Sequence, residues 1–582
     1  MKRCPECRRD YYDDSLLYCL DDGSALVEGP ASVDEPATAI FSEPPALAGG
    51  QFSESATRPQ VHITGAEAEH RSKVGGPTER HSLSAHRAAK PLALFIVGLL
   101  ILVGGFFGYR YYSSATSRQI ESIAVMPFVN ESGNADVEYL SDGMTETLIS
   151  SLSQLPNLSV KARSSVFRYK GKETDALIIG KELNVQAVLT GTVVQRGNDL
   201  VLHIELVDAA SENVLWSSDY NGPMTNLVSL QSEIARDVSQ KLKTKLSGAD
   251  RQKLAKNYTE NPEAYQLYLK GRFYWNKRTA AENQKAIEYF EQAIALDPTY
   301  ALAYAALADS YILQLPSISR QERFPKARAA ATKALEIDDT LGEAHTALAE
   351  VEVDAWNWPA AEKGFKRAIE LSPNYPTARH WHAELLSRLG RHDEALREIK
   401  RAQELDPLSI PISSMVGHTL MMAHRFDEAT EQFKKTLEMD PNFNLARVFL
   451  AETYIFKGMY EEALTESERR IEGPGENPEN REIQRQKFAE LRQAYHRSGA
   501  RGFWEQDLQH MKRQHAQGGN VRPHRMAEAY ANLGDKDEAF VWLEKIVAER
   551  GGDGYIKVDP AFALLHDDRR FQELMRKSGF PE

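Results

Sequence analysis

The spacing of apolar positions changes character several times along the chain. From Ser122 the run "SIAVMPF" is short and apolar and ends in the turn signal "NESGN", as a buried strand does. "VEYLSDGMTETLISSLSQL" then carries Leu140, Met144, Leu148 and Leu152 along one helical face. "LSVKARS" predicts a second strand and "TDALIIGKELN" a second helix. "VQAVLTGTVVQRG", "DLVLHIELVDAA" and "NVLWSSDYN" alternate with period two and predict three consecutive strands. Gly197-Asn198 suits a hairpin turn between the first two. "TNLVSLQSEIARDVSQKLKTKL" closes the stretch as an amphipathic helix. The order β-α-β-α-β-β-β-α predicts an α/β domain over 120–247.

From Asn261 a longer period takes over. "ALDPTY", "EIDDTL", "ELSPNY", "ELDPLS" and "EMDPNF" place landmarks at Pro298, Asp339, Pro373, Pro407 and Pro441, separated by 41, 34, 34 and 34 residues. "QLPSISRQER" accommodates the extra seven. Small residues precede four landmarks by twelve and five positions: Ala286 and Ala293, Ala327 and Ala334, Ala361 and Ala368, Ala395 and Ala402. Eight positions before a landmark stand Phe290, Phe365, Ile399 and Phe433. Helices cross closely over small side chains, the large ones fill the space between them, and a proline after the second helix stops it. Later units around Ala463 and Ala539 are less regular, giving about seven helix pairs, all-α, over 261–582.

A third pattern is neither amphipathic nor alternating. "PLALFIVGLLILVGGFFG", Pro91 to Gly108, holds no charge. At 1.5 Å per residue it reaches about 27 Å, close to the roughly 30 Å of a bilayer core. With Tyr109, Tyr111 and Tyr112 as an interfacial belt, it predicts one transmembrane helix over 91–112. Arg71, Lys73, Arg80, Arg87 and Lys90 precede it, and only Arg110 and Arg118 follow closely. That bias expects a cytoplasmic N-terminus in a cell inner membrane, with the later domains periplasmic or otherwise extracytoplasmic. Gly104 and Gly108 form a G-x-x-x-G, a packing face for a homodimer. Residues 28–90, rich in Pro, Gly, Ala and Ser, read as a flexible linker whose basic end, Arg71 to Lys90, suits anionic lipid.

Composition is globular over 582 residues, 42% hydrophobic and 26% charged, and calls for several domains. The net charge of -13 argues against a protein that coats nucleic acid along its length. Three cysteines, Cys4, Cys7 and Cys19, cannot build a disulfide framework. Cys4-x-x-Cys7 places two sulfurs on one tight turn, half of a zinc site, and Cys19 supplies a third. Asp22 stands where a second C-x-x-C would end, so Cys4, Cys7, Cys19 and Asp22 are the expected metal ligands. Completion by Asp21 or water, and a ribbon without metal, are the other readings. Residues 1–27 have no room for a substrate, so the zinc is expected to be structural. Lys2, Arg3, Arg8 and Arg9 read as a solvated face rather than a nucleic-acid contact.

Residues Lys2 to Leu26, with "CPEC" and "YCLDDG", resemble the short zinc ribbons at the N-terminus of many bacterial membrane proteins, with an acid in place of the last Cys. "SIAVMPFVNESGN", "YLSDGMTETLISSLSQLPNLSVKARSSVFRYKG", "LTGTVVQRGNDLVLHIELVDAASENVLWSSDYN" and "LQSEIARDV" resemble the TolB amino-terminal-like domain. That resemblance implies a membrane helix before the domain, tetratricopeptide repeats after it, and often a cytoplasmic winged helix, kinase or nucleotide cyclase ahead of it. Here the small ribbon stands in the effector's place. The thirty-four-residue period resembles the tetratricopeptide family, and "GYIKVDPAFALLHDDRRFQELMRKSGF" resembles an end-of-array segment. Stacked repeats imply a superhelix with a groove that binds a partner's segment.

No catalytic set emerges. Asp142 and Glu146 lie i, i+4 on one helix and read as a solvated face. "KGKETD" and "GKELN" are not phosphate loops. Trp275, Trp356, Trp381 and Trp542 are expected between helices rather than in the groove, and His380 and His382 at the surface or in packing rather than on a metal. The expectation is a multidomain chain: zinc ribbon, one transmembrane helix, α/β domain, tetratricopeptide superhelix. It is read as a membrane-anchored scaffold or sensor for protein partners and not as an enzyme. The alternative is a signalling or transcription regulator whose ribbon contacts nucleic acid or a kinase.

Overall fold

The computed structural model describes residues 119–134, 137–242, 247–313, 318–473, 477–549 and 554–581, with the backbone of three two-residue strands nearer the N-terminus. Cys4, Cys7, Cys19 and Asp22, most of the linker, and the apolar segment 91–112 with Gly104 and Gly108 lie outside the described residues. Among the described residues no helix is long and apolar enough to cross a membrane.

The chain divides at Val97/Gly98. In the first unit β1 (Lys2–Arg3) pairs antiparallel with β2 (Asp10–Tyr11) and with β3 (Val27–Glu28).

The second unit begins with the α/β domain. Its sheet runs β6 (Ser159–Val160), β4 (Ser122–Val125), β7 (Ala187–Arg196), β8 (Asp199–Asp208), β9 (Val214–Pro223), and β5 (Val129–Asn130) pairs with the far end of β7. β6, β4 and β7 are parallel, while β7, β8 and β9 form an antiparallel meander. The β7–β8 turn is Gly197-Asn198 as predicted, and Gly197 supplies the positive φ of 64°. Helix α1 (Glu138–Ser153) buries Leu140, Met144, Leu148 and Leu152 completely. A short turn α2 (Arg163–Val166), not foreseen from the periodicity, precedes α3 (Ala176–Leu183). α4 (Leu227–Lys241) closes the layer, and α5 (Gly248–Leu254), held by a Ser247/Asp250 capping box, leads on.

Paired helices follow: α6 (Pro262–Trp275) with α7 (Ala280–Leu296), α8 (Ala301–Ile312) with α9 (Arg320–Ile337), and α10 (Gly342–Asp354) with α11 (Trp358–Leu371). They continue as α12 (Pro376–Arg388) with α13 (His392–Leu405), α14 (Ile410–Met422) with α15 (Phe426–Met439), and α16 (Asn444–Phe456) with α17 (Tyr460–Glu472). The eight alanines singled out in the sequence are wholly buried, as are Phe290, Phe365, Ile399 and Phe433. The packing is tight enough to require glycine at Gly417, where a Cβ would lie 2.6 Å from the Phe433 ring.

About seven pairs were expected, and the described residues hold eight. The extra one hides in α18 (Pro478–Ala516), which Ser498 and Gly499 break into two helices without a proline landmark. α19 (Pro523–Leu533) and α20 (Lys536–Glu549) form the last pair, and α21 (Arg569–Lys577) caps it. First helices of neighbouring pairs touch one another (α8 with α10, α10 with α12, α12 with α14, α14 with α16), so they line the inside of the curve. The α/β domain and the first repeats share one hydrophobic core, from Ile123 through Leu269 and Phe290 to Val351.

Candidate protein-binding groove

The small residue that lets each first helix approach its partner is followed by a titratable one. Gly271, Ala308, Ala349, Ala383, Gly417, Ala451 and Ala527 precede Arg272, Asp309, Glu350, Glu384, His418, Glu452 and Glu528. Glu350, Glu384, His418 and Glu452 are each 34 residues apart, and Asp309 precedes Glu350 by 41, the spacing of the landmarks. These side chains form one ladder along the inner face. The sequence carries this signal as a titratable residue after a small one at the repeat period.

The first end of the ladder meets the α/β domain. Arg272 donates from Nε to Glu146 at 2.8 Å, and Asn276 Nδ2 donates to the same carboxylate at 2.7 Å. Arg163 lies 3.2 Å from Glu146, and Lys170 2.5 Å from Asp142. Asp142 and Glu146 are therefore not a solvated face: the cations that enclose them come from outside their own helix. Burial alone would raise the Glu146 pKa, yet Arg272 and Arg163 pull it below its ordinary value. For Asp142 burial prevails over Lys170 and Arg163 and the pKa rises.

The rim is sealed by turn residues of the repeats. The Asn374 amide donates to the carbonyls of Ser153, Leu155 and Leu158 at 3.3, 2.9 and 2.7 Å. Asp406 accepts from Ser165 at 2.6 Å and from Ser164, and Lys161 reaches the Glu404 carbonyl at 2.5 Å. At the other side residues 554–581 fold back. Tyr555 packs edge-on to His418 and under the Arg388 guanidinium, and Phe580 stacks on Trp358, whose Nε1 donates to the Ser578 carbonyl.

Inside, the carboxyls differ sharply. Burial raises Glu384, but His380 at 3.0 Å and Arg388 at 3.2 Å outweigh it and bring the pKa to about 2. Burial pushes Asp309 up to about 7, Glu350 to about 8 and Glu452 to about 7. Arg272, Arg388 and Arg525 oppose these shifts from a distance, but each is engaged elsewhere: Arg272 with Glu146, Arg388 with Glu384, and Arg525 with Asp507 and Glu528.

The other residues singled out in the sequence are packing. Trp275 lies between the guanidinium groups of Arg272 and Arg278, at 4.3 and 3.6 Å. Trp356 stacks on Trp358, and Trp381 and Trp542 pack against the repeat cores. His382 is buried against Phe365. No group of three or more His, Cys, Asp or Glu among the described residues is placed to hold a metal ion. An open cleft of about 800 Å³ between Lys256 and Asp338 is lined by groups that satisfy one another, Lys256 with Asp338 at 2.6 Å and Thr259 with Asp297 at 2.5 Å.

Family models match three stretches of the array, residues 267–300, 346–410 and 420–470, each as tetratricopeptide repeat. The array is a tetratricopeptide array. Residues 118–237 match the second domain of HilA/YgeH-like transcriptional regulators. The chain is 32% identical over 234 residues to "Putative adenylate cyclase 3" of Rhizobium meliloti, covering 39% of each. It is 23% identical over 283 residues to the transcriptional regulator HilA of Salmonella typhimurium, covering 47% of this chain and 49% of that one. The chain thus spans less than half the length of the curated relatives it matches. Among solved structures, YrrB, a tetratricopeptide protein with an unusual peptide-binding site, is 24% identical with a TM-score of 0.25, covering 31% of this chain and 91% of that one. TTC0263 of Thermus thermophilus is 19% identical with a TM-score of 0.29, covering 33% and 99%.

Proposed function

We propose that the α/β domain and the tetratricopeptide array act as one regulatory body that takes a segment of a protein partner along the ladder of the array's inner face. The observation that carries this reading is the ladder itself, in which neither Glu350 nor Glu452 has an ion pair among the described residues. The α/β domain fixes the array's curvature from the rim and transmits a change in it. A membrane anchor at 91–112, a cytoplasmic zinc ribbon held by Cys4, Cys7, Cys19 and Asp22, and extracytoplasmic repeats belong to the same proposal. The uncharged apolar run, the C-x-x-C and the flanking basic residues support them.

The test is photo-cross-linking of the full chain in cells with a reactive residue at Glu350 or, for comparison, at Lys333 on an outer helix. Capture of a defined protein from Glu350 and not from Lys333 is the expected result. Equal capture from both positions contradicts a groove site. The match of 118–237 to a transcriptional regulator's domain favours a second reading, in which the ribbon contacts nucleic acid. Nucleic-acid binding by the full chain that weakens steeply with salt would favour it.

A further inference from the structure

The sheet of the α/β domain ends in two very different edges. β6 is two residues long, and the repeats cover that side: the Ala162 amide donates to the Leu405 carbonyl at 3.0 Å, and Asn374 bonds the Leu158 carbonyl. β9 is ten residues long, and no strand lies beyond it among the described residues. Its ladder fixes which backbone groups are left over. The Met224 amide donates to the Asn198 carbonyl at 2.8 Å, and antiparallel bonds recur at every second residue. Gly222, Tyr220, Ser218 and Trp216 therefore bond Leu200, Leu202, Ile204 and Leu206 of β8. Asn221, Asp219 and Ser217 direct their N–H and C=O groups away from β8, and all three residues are exposed. Long edges are normally blunted by lysine, proline or a covering element. From Val214 to Gly222 there is no lysine and no proline. The one charge, Asp219, is held by His203 at 2.7 Å, and Val214 and Leu215 are 55% and 48% exposed.

We propose that β9 pairs antiparallel with β9 of a second copy of this chain, joining two sheets into one. The occupant follows from the self-complementarity of the strand. A two-fold axis perpendicular to the sheet makes outward residues meet outward residues, so the pairing is centred on a residue. Centring on Asp219 sets two like charges directly opposite one another, which destabilises. Centring on Ser217 sets apolar Leu215 against charged Asp219. Centring on Ser218 sets Ser217 against Asp219 on one face, where the hydroxyl donates to the carboxylate. On the other face the same register sets Trp216 against Tyr220, an aromatic cross-strand pair. Ser217 and Asp219 then exchange both N–H···O bonds, and symmetry repeats every pair. An unrelated strand would gain backbone bonds but neither side-chain pair. The contact lies on the α/β domain and stands independently of the groove in the array.

The test is mild oxidation of the full chain carrying one added cysteine, with disulfide-linked peptides identified by mass spectrometry after proteolysis. Ser218 sits on the two-fold axis, at a pair without ladder bonds, where Cα atoms come about 4.5 Å apart, within disulfide reach. S218C is expected to yield a disulfide between two peptides that both carry the substitution. Asn221 stands opposite Leu215 in this register, about 20 Å from Asn221 of the second copy. N221C should therefore yield at least about tenfold less of the corresponding disulfide. S217P removes an N–H that β8 does not use, so β9 keeps its own ladder while the outer edge is blocked. S217P/S218C should lose about tenfold or more of the disulfide seen in S218C. No disulfide in S218C, equal disulfide in S218C and N221C, or no effect of S217P overturns the proposal. Linkage of S218C to a different protein in place of a second copy overturns it as well.

Discussion

Replacing Asn374 by alanine tests whether the α/β domain is built into the array. The side chain is buried, and its two N–H donors are spread over three backbone carbonyls of the α/β domain. Each bond is worth about 0.5–1.5 kcal/mol net, and each buried acceptor left bare costs about 1–3 kcal/mol. With water reaching part of the gap, Asn374→Ala is expected to weaken the seam by about 2–4 kcal/mol. That raises the opening equilibrium by roughly 30-fold or more. Hydrogen exchange reads it at Ser159 and Lys161, whose amides bond Glu121 and Ile123 beside the seam. The chain supplies its own control. Asn442 holds the same motif position two repeats later, is exposed, and faces no domain. Asn442→Ala should leave exchange unchanged. A change of less than about threefold for Asn374→Ala, or equal effects of both substitutions, would refute the assignment of the seam to this side chain.

Other expectations follow from the same geometry. Gly417→Ala drives a methyl group into the Phe433 ring and should cost about 1–3 kcal/mol in urea unfolding, with partial recovery when Phe433 becomes Leu. Glu350 has a folded pKa of about 8, above its unfolded value. The stability tied to its protonated form is therefore complete below about 4.5 and is lost as pH rises through about 8. Glu350→Gln should accordingly raise Tm relative to the parent at pH 9 and leave it unchanged at pH 4; the reverse order would contradict the assignment. Purified full chain should carry one zinc by elemental analysis and lose it in Cys19→Ser; equal zinc in both would remove Cys19 from the ligand set. Membrane fractions should retain the full chain after a high-salt wash, and a chain lacking 91–112 should be released.

Local pattern was enough for most elements. The alternation of "DLVLHIELVDAA" and the buried helical stripe of Leu140, Met144, Leu148 and Leu152 are set by neighbours in the sequence. So are the alanines and Phe433, whose spacing is imposed by the repeat itself. What the pattern could not reveal depends on partners far along the chain. Asp142 and Glu146 read as solvated because Arg272, one of the cations that buries them, lies more than a hundred residues away. Asn374 and Asp406 stand beside the landmarks Pro373 and Pro407, and they are also the glue for a domain more than two hundred residues upstream. The seventh helix pair was invisible because Gly499 breaks α18 without a proline. The ladder was legible in principle, since a titratable residue after a small one recurs at 34, acidic at Glu350, Glu384 and Glu452 and histidine at His418. Its meaning needed the groove, because burial and the engagement of Arg388 and Arg525 decide which carboxyls are bare.

The central claim is that the inner face, not the outer helices, receives the partner. Hydrogen–deuterium exchange of the full chain with and without the protein captured from Glu350 tests it most directly. Slowed exchange in α10, α12, α14 and α16, the helices that carry Glu350, Glu384, His418 and Glu452, is the result this account expects. Protection confined to outer helices such as α11 and α13, or none at saturating partner, would contradict it.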